Sequence, residues 1–273
     1  MHQKASSRFR SARILIREIT VTDFKLRYHD SFLGYLWSVL RPLALFTILY
    51  IVFAKVFKVG NEIPNYPVYL LIGLVVWNYF TEATSTCLAG IVEKGDLMRK
   101  ISFPKYIVIV SKITSALINL AINFVIVAIF MILFGADLSP WALLVVPLLI
   151  LELFLFSLGL GLILGTMYVR FRDLNYIWEV LVQALFYATP ILYPLTFVVD
   201  NFSKRFAQII MLNPIAQILQ DMRLVLVTPQ TSGYGSIIHN GYIRVVPITI
   251  VLLLLITGIW YFKKKSKYFA EYV

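Results

Sequence analysis

The sequence predicts an all-α membrane protein: six transmembrane helices preceded by an amphipathic interface helix, with short re-entrant helices on the outer side before the last span. Three observations predict it. Of 273 residues, 60% are hydrophobic and only 14% charged, against about 25% charged in a soluble domain. The apolar residues fall into runs of span length, roughly 20 residues each. The Lys and Arg side chains, which give a net charge of +11, gather between those runs rather than on one soluble face. That distribution reads as topology and lipid contact, and no nucleic acid is expected as a partner.

Residues 1–34 read as a cytoplasmic N-terminal segment ending in an interface helix. From it, DFKLRYHDSFLGYLWSVLRP (23–42) runs without a linker into the first apolar stretch. Lys25, Arg27 and His29 alternate with Phe24, Tyr28 and Phe32, and Tyr35 and Trp37 stand where hydrocarbon begins. Basic groups facing lipid phosphate, with aromatic rings at the apolar boundary, suit the headgroup layer. No secretory signal peptide is expected, because about 35 mixed residues precede the first apolar run.

Residues 35–262 read as the transmembrane domain, with spans at about 36–57, 68–90, 106–134, 141–168, 175–198 and 245–262. Arg41-Pro42 lies inside the first span. The proline leaves one carbonyl unpaired and kinks the entry turn, while Arg41 snorkels to phosphate or meets an anionic substrate. Tyr35, Phe46, Tyr50, Phe53 and Phe57 fall on one face of this span at about 100° per residue. Glu82 and Thr86 lie one turn apart in the cytoplasmic half of the second span. Lys112, Ser115, Asn119 and Asn123 share a face of the third, and such groups require partners. Gly161 and Gly165 of the fourth span, with Gly159, read as close helix packing, because their spacing does not fit a dinucleotide loop. The fifth span is the least regular, broken by Pro190 and Pro194, and carries Phe186, Tyr187, Tyr193 and Phe197. Aromatic rings on two spans either pack the bundle or line a path along which sugar rings slide.

The connections set the orientation. Eighteen of the 25 Lys and Arg residues fall in 1–35, 91–112, 169–174 and the tail, and six on the opposite side. The excess places both termini in the cytoplasm, with KKKSK in the basic tail, 263–273, closing the last span. The 91–105 segment is polar and helix-capable as far as Pro104. The stretch FAQIIMLNPIAQILQDMRLVL predicts two short helices broken at Asn213-Pro214, re-entrant or interfacial in position.

No Walker A pattern occurs, and no nucleophile–base pair, metal-ligand spacing or Gly-rich phosphate loop is present. Catalysis is not indicated, and no cofactor is expected in this chain. The single cysteine, Cys87, lies in an apolar run, which speaks against a disulfide framework.

Read in order, DFKLRYHDSFLGYLWSVLRP, KISFP in a cytoplasmic segment, FRDLNYIWEVLVQALFYATPILYP at 171–194 and LNP at 212–214 resemble one family. It is the permease subunit of ABC transporters that export lipid-linked polysaccharides, whether O-antigen, capsule or wall teichoic acid. The resemblance implies a separate ABC ATPase dimer that binds ATP and Mg, paired with two copies of the permease in a bacterial cytoplasmic membrane. It implies an interface helix at 11–33 and a coupling helix at about 91–104, where Glu93, Lys94, Asp96, Arg99 and Lys100 meet the ATPase. Arg172 and Asp173 belong to a second contact, and gate helices match 199–225. It further implies a lateral gate between spans one and five, where Tyr35, Trp37, Phe46, Tyr50, Phe53, Phe186, Tyr187, Tyr193 and Phe197 meet the glycan. A polyprenyl-diphosphate-linked glycan then places its diphosphate near Lys25, Arg27 and Arg41. The competing readings are a permease for drugs or small lipophilic molecules and a polytopic enzyme of glycan or lipid synthesis.

Overall fold

The computed structural model describes residues 2–28, 34–58, 63–100, 103–228 and 245–269, with side chains from Ala12 onward except Leu26, Arg27, Tyr28 and Tyr35. The protein is an all-α membrane protein, and among the described residues there is no strand. Helix α1 spans His2–Tyr28. Helix α2, Trp37–Tyr50, continues as a wide turn through Ile51–Val56. There follow α3 (Tyr66–Glu93), the short α4 (Gly95–Lys100), α5 (Tyr106–Phe134), α6 (Ala142–Tyr168) and α7 (Leu174–Ala188). Three short helices come next, α8 (Leu195–Asn201), α9 (Lys204–Met211) and α10 (Pro214–Leu226), before α11 (Val246–Lys265).

Four of these segments are long and apolar enough to cross a membrane: Trp37–Val56, Tyr106–Phe134, Ala142–Tyr168 and Val246–Tyr268. The pair α9 and α10, bent by 99°, forms a further candidate as a broken span or re-entrant loop. Helix α3 has the length but is interrupted by Asn78, Thr81, Glu82 and Ser85. It is nonetheless the central helix, with Val68, Leu70, Ile72, Val76, Ala83 and Ile91 fully buried. Its buried Thr84 is satisfied by neighbours: Oγ1 donates to the Phe80 carbonyl at 2.8 Å and accepts from Trp178 Nε1 at 3.2 Å.

Helix α7 stops well short of the 175–198 expected for the fifth span. Thr189 precedes Pro190 and is held extended at φ −90°, ψ 138°, because the proline ring disfavours a helical residue before it. The Asn213-Pro214 break falls as read from sequence. Asn213 caps α10 by accepting from the Ile215 N–H at 3.1 Å, with proline in the first turn.

Glycines set the closest helix contacts. A Cβ added at Gly258 in α11 would lie 2.6 Å from the Gly159 carbonyl oxygen of α6, and one at Gly165 would lie 2.8 Å from the Cys87 carbonyl oxygen of α3. Gly159 and Gly165 are packing glycines, as their spacing suggested, and Gly258 joins them.

The contacts also fix which ends meet. Gly161 lies against Cys87 and Gly165 against Ile91, so α3 and α6 run parallel, and α11, whose end meets Lys105 just before α5, runs with them. Lys112 pairs with Glu93, so α5 runs against α3. One end of the bundle therefore gathers α4, the start of α5, the 169–173 turn and the end of α11, where Lys105 Nζ donates to the Ser266 carbonyl at 2.6 Å. The other end holds the 135–139 turn, whose Asp137 and Ser139 N–H groups donate to Val227 and Val225 at 3.1 and 3.0 Å.

Candidate functional site

Three places in the bundle join polar groups from distant parts of the chain. The first is an ionic cluster at the basic end. Asp23 of α1 receives Lys94 Nζ at 2.8 Å and Lys112 Nζ at 3.3 Å, and Lys112 also meets Glu93 at 2.9 Å. Asp23 and Lys112 keep only 8% and 12% of their side-chain exposure. Thr20, one turn earlier in α1, donates to the Ser111 carbonyl at 3.4 Å. Helix α1 is thus fastened to α5 and to the junction between α3 and α4. Beyond that junction Asp96, Arg99 and Lys100 are exposed on α4.

The second place lies where α2 begins. Proline 42 has no N–H, so it cannot take the Ser38 carbonyl four residues back. Asn123 of α5 donates to that carbonyl instead, at 3.3 Å. The bond sets the level of α2, since Asn123 lies about 25 Å along α5 from Tyr106. The lower parts of α3 and α5 therefore extend past the start of α2, and α1 packs on that extension. Lys112 and Ser115 belong to the extension, while Glu82, Asn119 and Asn123 lie level with the start of α2 rather than deep along it.

These residues wall a cavity of about 660 Å³ between α2, α3 and α5. Asn119 Nδ2 donates to Glu82 at 2.7 Å, and Asn123 Nδ2 also reaches the Asn119 side-chain oxygen at 3.3 Å. Arg41 and Trp37 stand exposed at the rim.

The third place is the break after α7, where every carbonyl from 190 to 193 is taken by a side chain. Arg223 of α10 donates through Nη1 to Pro190 at 2.6 Å and through Nη2 to Ile191 at 2.8 Å. Its Nε donates to the Tyr69 carbonyl at 3.1 Å. Tyr66 and Tyr69 hydroxyls donate to Leu192 and Tyr193 at 2.9 and 3.3 Å. Arg223 is fully buried, 3.5 Å over the Tyr69 ring. Non-helical backbone within an apolar bundle requires such partners. In sequence Arg223 stood out only as a basic residue in the outer connection, and its role depends on residues far away in the chain.

The aromatic residues named from sequence divide. Phe46 is in the core, stacked on Tyr50 at 5.7 Å and edge-on to Phe130 at 5.3 Å. Tyr50, Phe53, Phe186 and Tyr193 are half-buried, with Phe186 edge-on to Trp77 at 5.7 Å. Trp37, Tyr187 and Phe197 are exposed. Lys25, Arg172 and Asp173 are also exposed, and Arg172 lies 5.3 Å over the Tyr168 ring. The side chains of Arg27 and Tyr35 lie outside the described residues. Helix α7 buries Trp178 and Val182 and leaves Tyr176, Ile177, Val180 and Leu181 bare on its opposite side.

Residues 14–224 match the family described as ABC-2 type transporter, and the chain belongs to it. The chain is 29% identical over 257 residues to an O-antigen export system permease protein RfbA of Klebsiella pneumoniae, covering 94% of each. An RfbA of Myxococcus xanthus is 28% identical over 211 residues, 77% of this chain and 79% of that one. The polysialic acid transport protein KpsM of Escherichia coli is 22% identical over 259 residues, covering 92% of this chain and 95% of that one.

Proposed function

We propose that this ABC-2 family protein is the membrane permease of an ATP-driven exporter of a lipid-linked polysaccharide. The observation that carries the reading is its similarity, along nearly the whole chain, to permeases named for O-antigen export and polysialic acid transport. The sequence given contains no P-loop, so hydrolysis is assigned to a partner ATPase dimer carrying ATP and Mg. The basic end of the bundle faces the cytoplasm by its excess of Lys and Arg, and the chain crosses the membrane six times. Helix α4, with Glu93, Lys94, Asp96, Arg99 and Lys100, docks the ATPase beside Arg172 and Asp173. Two copies of the permease meet through the bare apolar face of α7.

The substrate is a glycan on a polyprenyl diphosphate, of O-antigen, capsule or wall teichoic acid type. Its diphosphate meets Lys25, Arg27 and Arg41 at the cytoplasmic boundary. Its sugars follow Trp37, Tyr187 and Phe197, with Tyr35, Phe46, Tyr50, Phe53, Phe186 and Tyr193 supporting that path. The test is co-purification with the ATPase encoded beside it, followed by hydrolysis assays with added lipid-linked glycans. Stimulation by a glycan lipid supports the reading. Stimulation by small lipophilic cations alone points to a drug permease, and a chain that recruits no ATPase is not an exporter subunit of this kind.

A further inference from the structure

The cavity between α2, α3 and α5 sets a cation at its rim above a carboxylate, amides and hydroxyls. At its rim Arg41 makes no hydrogen bond or ion pair with the described residues. Inside, Glu82 is held by Asn119 at 2.7 Å, which fixes a carboxylate as an acceptor. Three residues lining the cavity carry a buried side-chain oxygen without a hydrogen-bond partner: Asn123 through its amide oxygen, and Thr81 and Tyr79 through their hydroxyls. Asn123 retains only 5% of its exposure. Buried polar atoms without partners are costly and uncommon in folded proteins, so an occupant that pairs them is favoured.

The mouth limits what that occupant is. Leu45 lies at the cavity edge, 40% exposed, and Ile48 lies one turn above it, 60% exposed. A hydrocarbon chain fits along that face of α2 while its head enters the cavity. The volume of about 660 Å³ lies within the roughly 300–1,000 Å³ typical of ligand sites. A lone phosphate would satisfy Arg41 but would face the Glu82 carboxylate within the same cavity. A head offering a phosphate at the rim and hydroxyls further in satisfies all of them. A carboxylate accepts from one hydroxyl, the Asn123 oxygen from the next, and the Thr81 hydroxyl either donates or accepts. Trp37 adds a flat face at the rim.

We propose that this cavity reads the first sugar of a lipid-anchored sugar phosphate, with Glu82, Asn123 and Thr81 meeting its hydroxyls and Arg41 its phosphate. The ligand's lipid anchorage rests on the export reading above, whereas the recognition of a sugar rests on the cavity itself. The polar groups of α3 and α5 are then specificity-determining residues at the point of loading.

The test uses the full permease–ATPase complex in nanodiscs and three probes: a polyprenyl diphosphate bearing one N-acetylhexosamine, the same diphosphate without sugar, and phosphatidylglycerol. Retained lipid is counted by native mass spectrometry. Wild type is expected to prefer the sugar-bearing probe by about tenfold over the bare diphosphate. Thr81→Val removes a hydroxyl that has no protein partner, so it leaves the fold intact while reducing that preference several-fold. Glu82→Gln reduces it further, and Arg41→Gln weakens both diphosphates equally. If the preference survives in both Thr81→Val and Glu82→Gln, the assignment is overturned. It is also overturned if wild type holds the three probes alike, phosphatidylglycerol included. Glycan export by the same wild-type complex, measured separately, then tells whether only the cavity assignment falls or the export reading falls with it.

Discussion

Gly73 of α3 makes room for Arg223 of α10: a Cβ at Gly73 would lie 2.6 Å from the arginine Nη2 and 3.2 Å from the Ile191 carbonyl oxygen. The missing side chain lets a buried guanidinium cap the irregular backbone that follows α7. Gly73→Ala is expected to displace that cap and lower stability by about 1–3 kcal/mol. The fall appears as a lower unfolding midpoint of the purified complex.

Arg223→Lys tests the planar fork. An ammonium is a point charge and does not reach three carbonyls in a fixed geometry. The variant is expected to lose about 2–4 kcal/mol despite keeping its charge. Amide exchange at Ile191 and Leu192 should rise more than exchange within α5. Equal stability of the Lys variant would show that charge alone suffices there.

The Pro42–Asn123 relationship gives a double-mutant cycle. In wild type, Asn123→Leu leaves the Ser38 carbonyl without its partner, for a loss of about 1–2 kcal/mol. In a Pro42→Ala background the backbone N–H of the new residue takes that carbonyl, so the loss from Asn123→Leu should shrink. Equal losses in the two backgrounds would mean that the Ser38 bond contributes nothing.

The ionic cluster predicts a charge-swap rescue. Asp23→Lys places a cation beside Lys94 and Lys112 and should detach α1 from the α3–α4 junction. Lys112→Met leaves Asp23 and Glu93 less compensated, for a loss of about 2–4 kcal/mol. Combining Asp23→Lys with Lys94→Asp restores the opposite-sign pair at 23 and 94, and adding Lys112→Met removes the cation that would then face the new lysine. The triple variant should recover substrate-stimulated hydrolysis that the single Asp23 variant loses. Hydrolysis by the partner ATPase, with and without glycan lipid, distinguishes lost coupling from lost protein.

Much of the fold was legible because it rests on local rules. Apolar run length placed α2, α5, α6 and α11, proline chemistry placed the α9–α10 break, and the small-residue spacing marked Gly161 and Gly165 as contacts. The end of α7 was legible only in part. Pro190 was visible in sequence, yet continued hydrophobicity extended the expected span through it, and the backbone rule at Thr189 prevailed. What sequence did not carry was partnership. Asn123 was recognisable as a polar residue in need of a partner, but nothing local says that the partner is a carbonyl freed by Pro42. Tyr66 and Tyr69 lie more than a hundred residues from Arg223 and from the carbonyls they meet, and their common task exists only once α3, α7 and α10 are packed. The cytoplasmic-half position of Glu82 was legible from its place along the second span, but the level of Asn119 with the start of α2 was hidden, because it follows from the offset between α2 and α5.

The most direct test of the export reading is transport itself. The permease and its ATPase are reconstituted in liposomes with the ATPase side outward, and a fluorescent polyprenyl-diphosphate glycan is placed in the outer leaflet. The account predicts ATP-dependent protection of the glycan from an added glycosidase as it passes to the interior. Protection should be abolished by a hydrolysis-dead ATPase and much reduced by Arg41→Gln. Full glycosidase access after sustained ATP hydrolysis, in vesicles where the wild-type complex is intact, would contradict it.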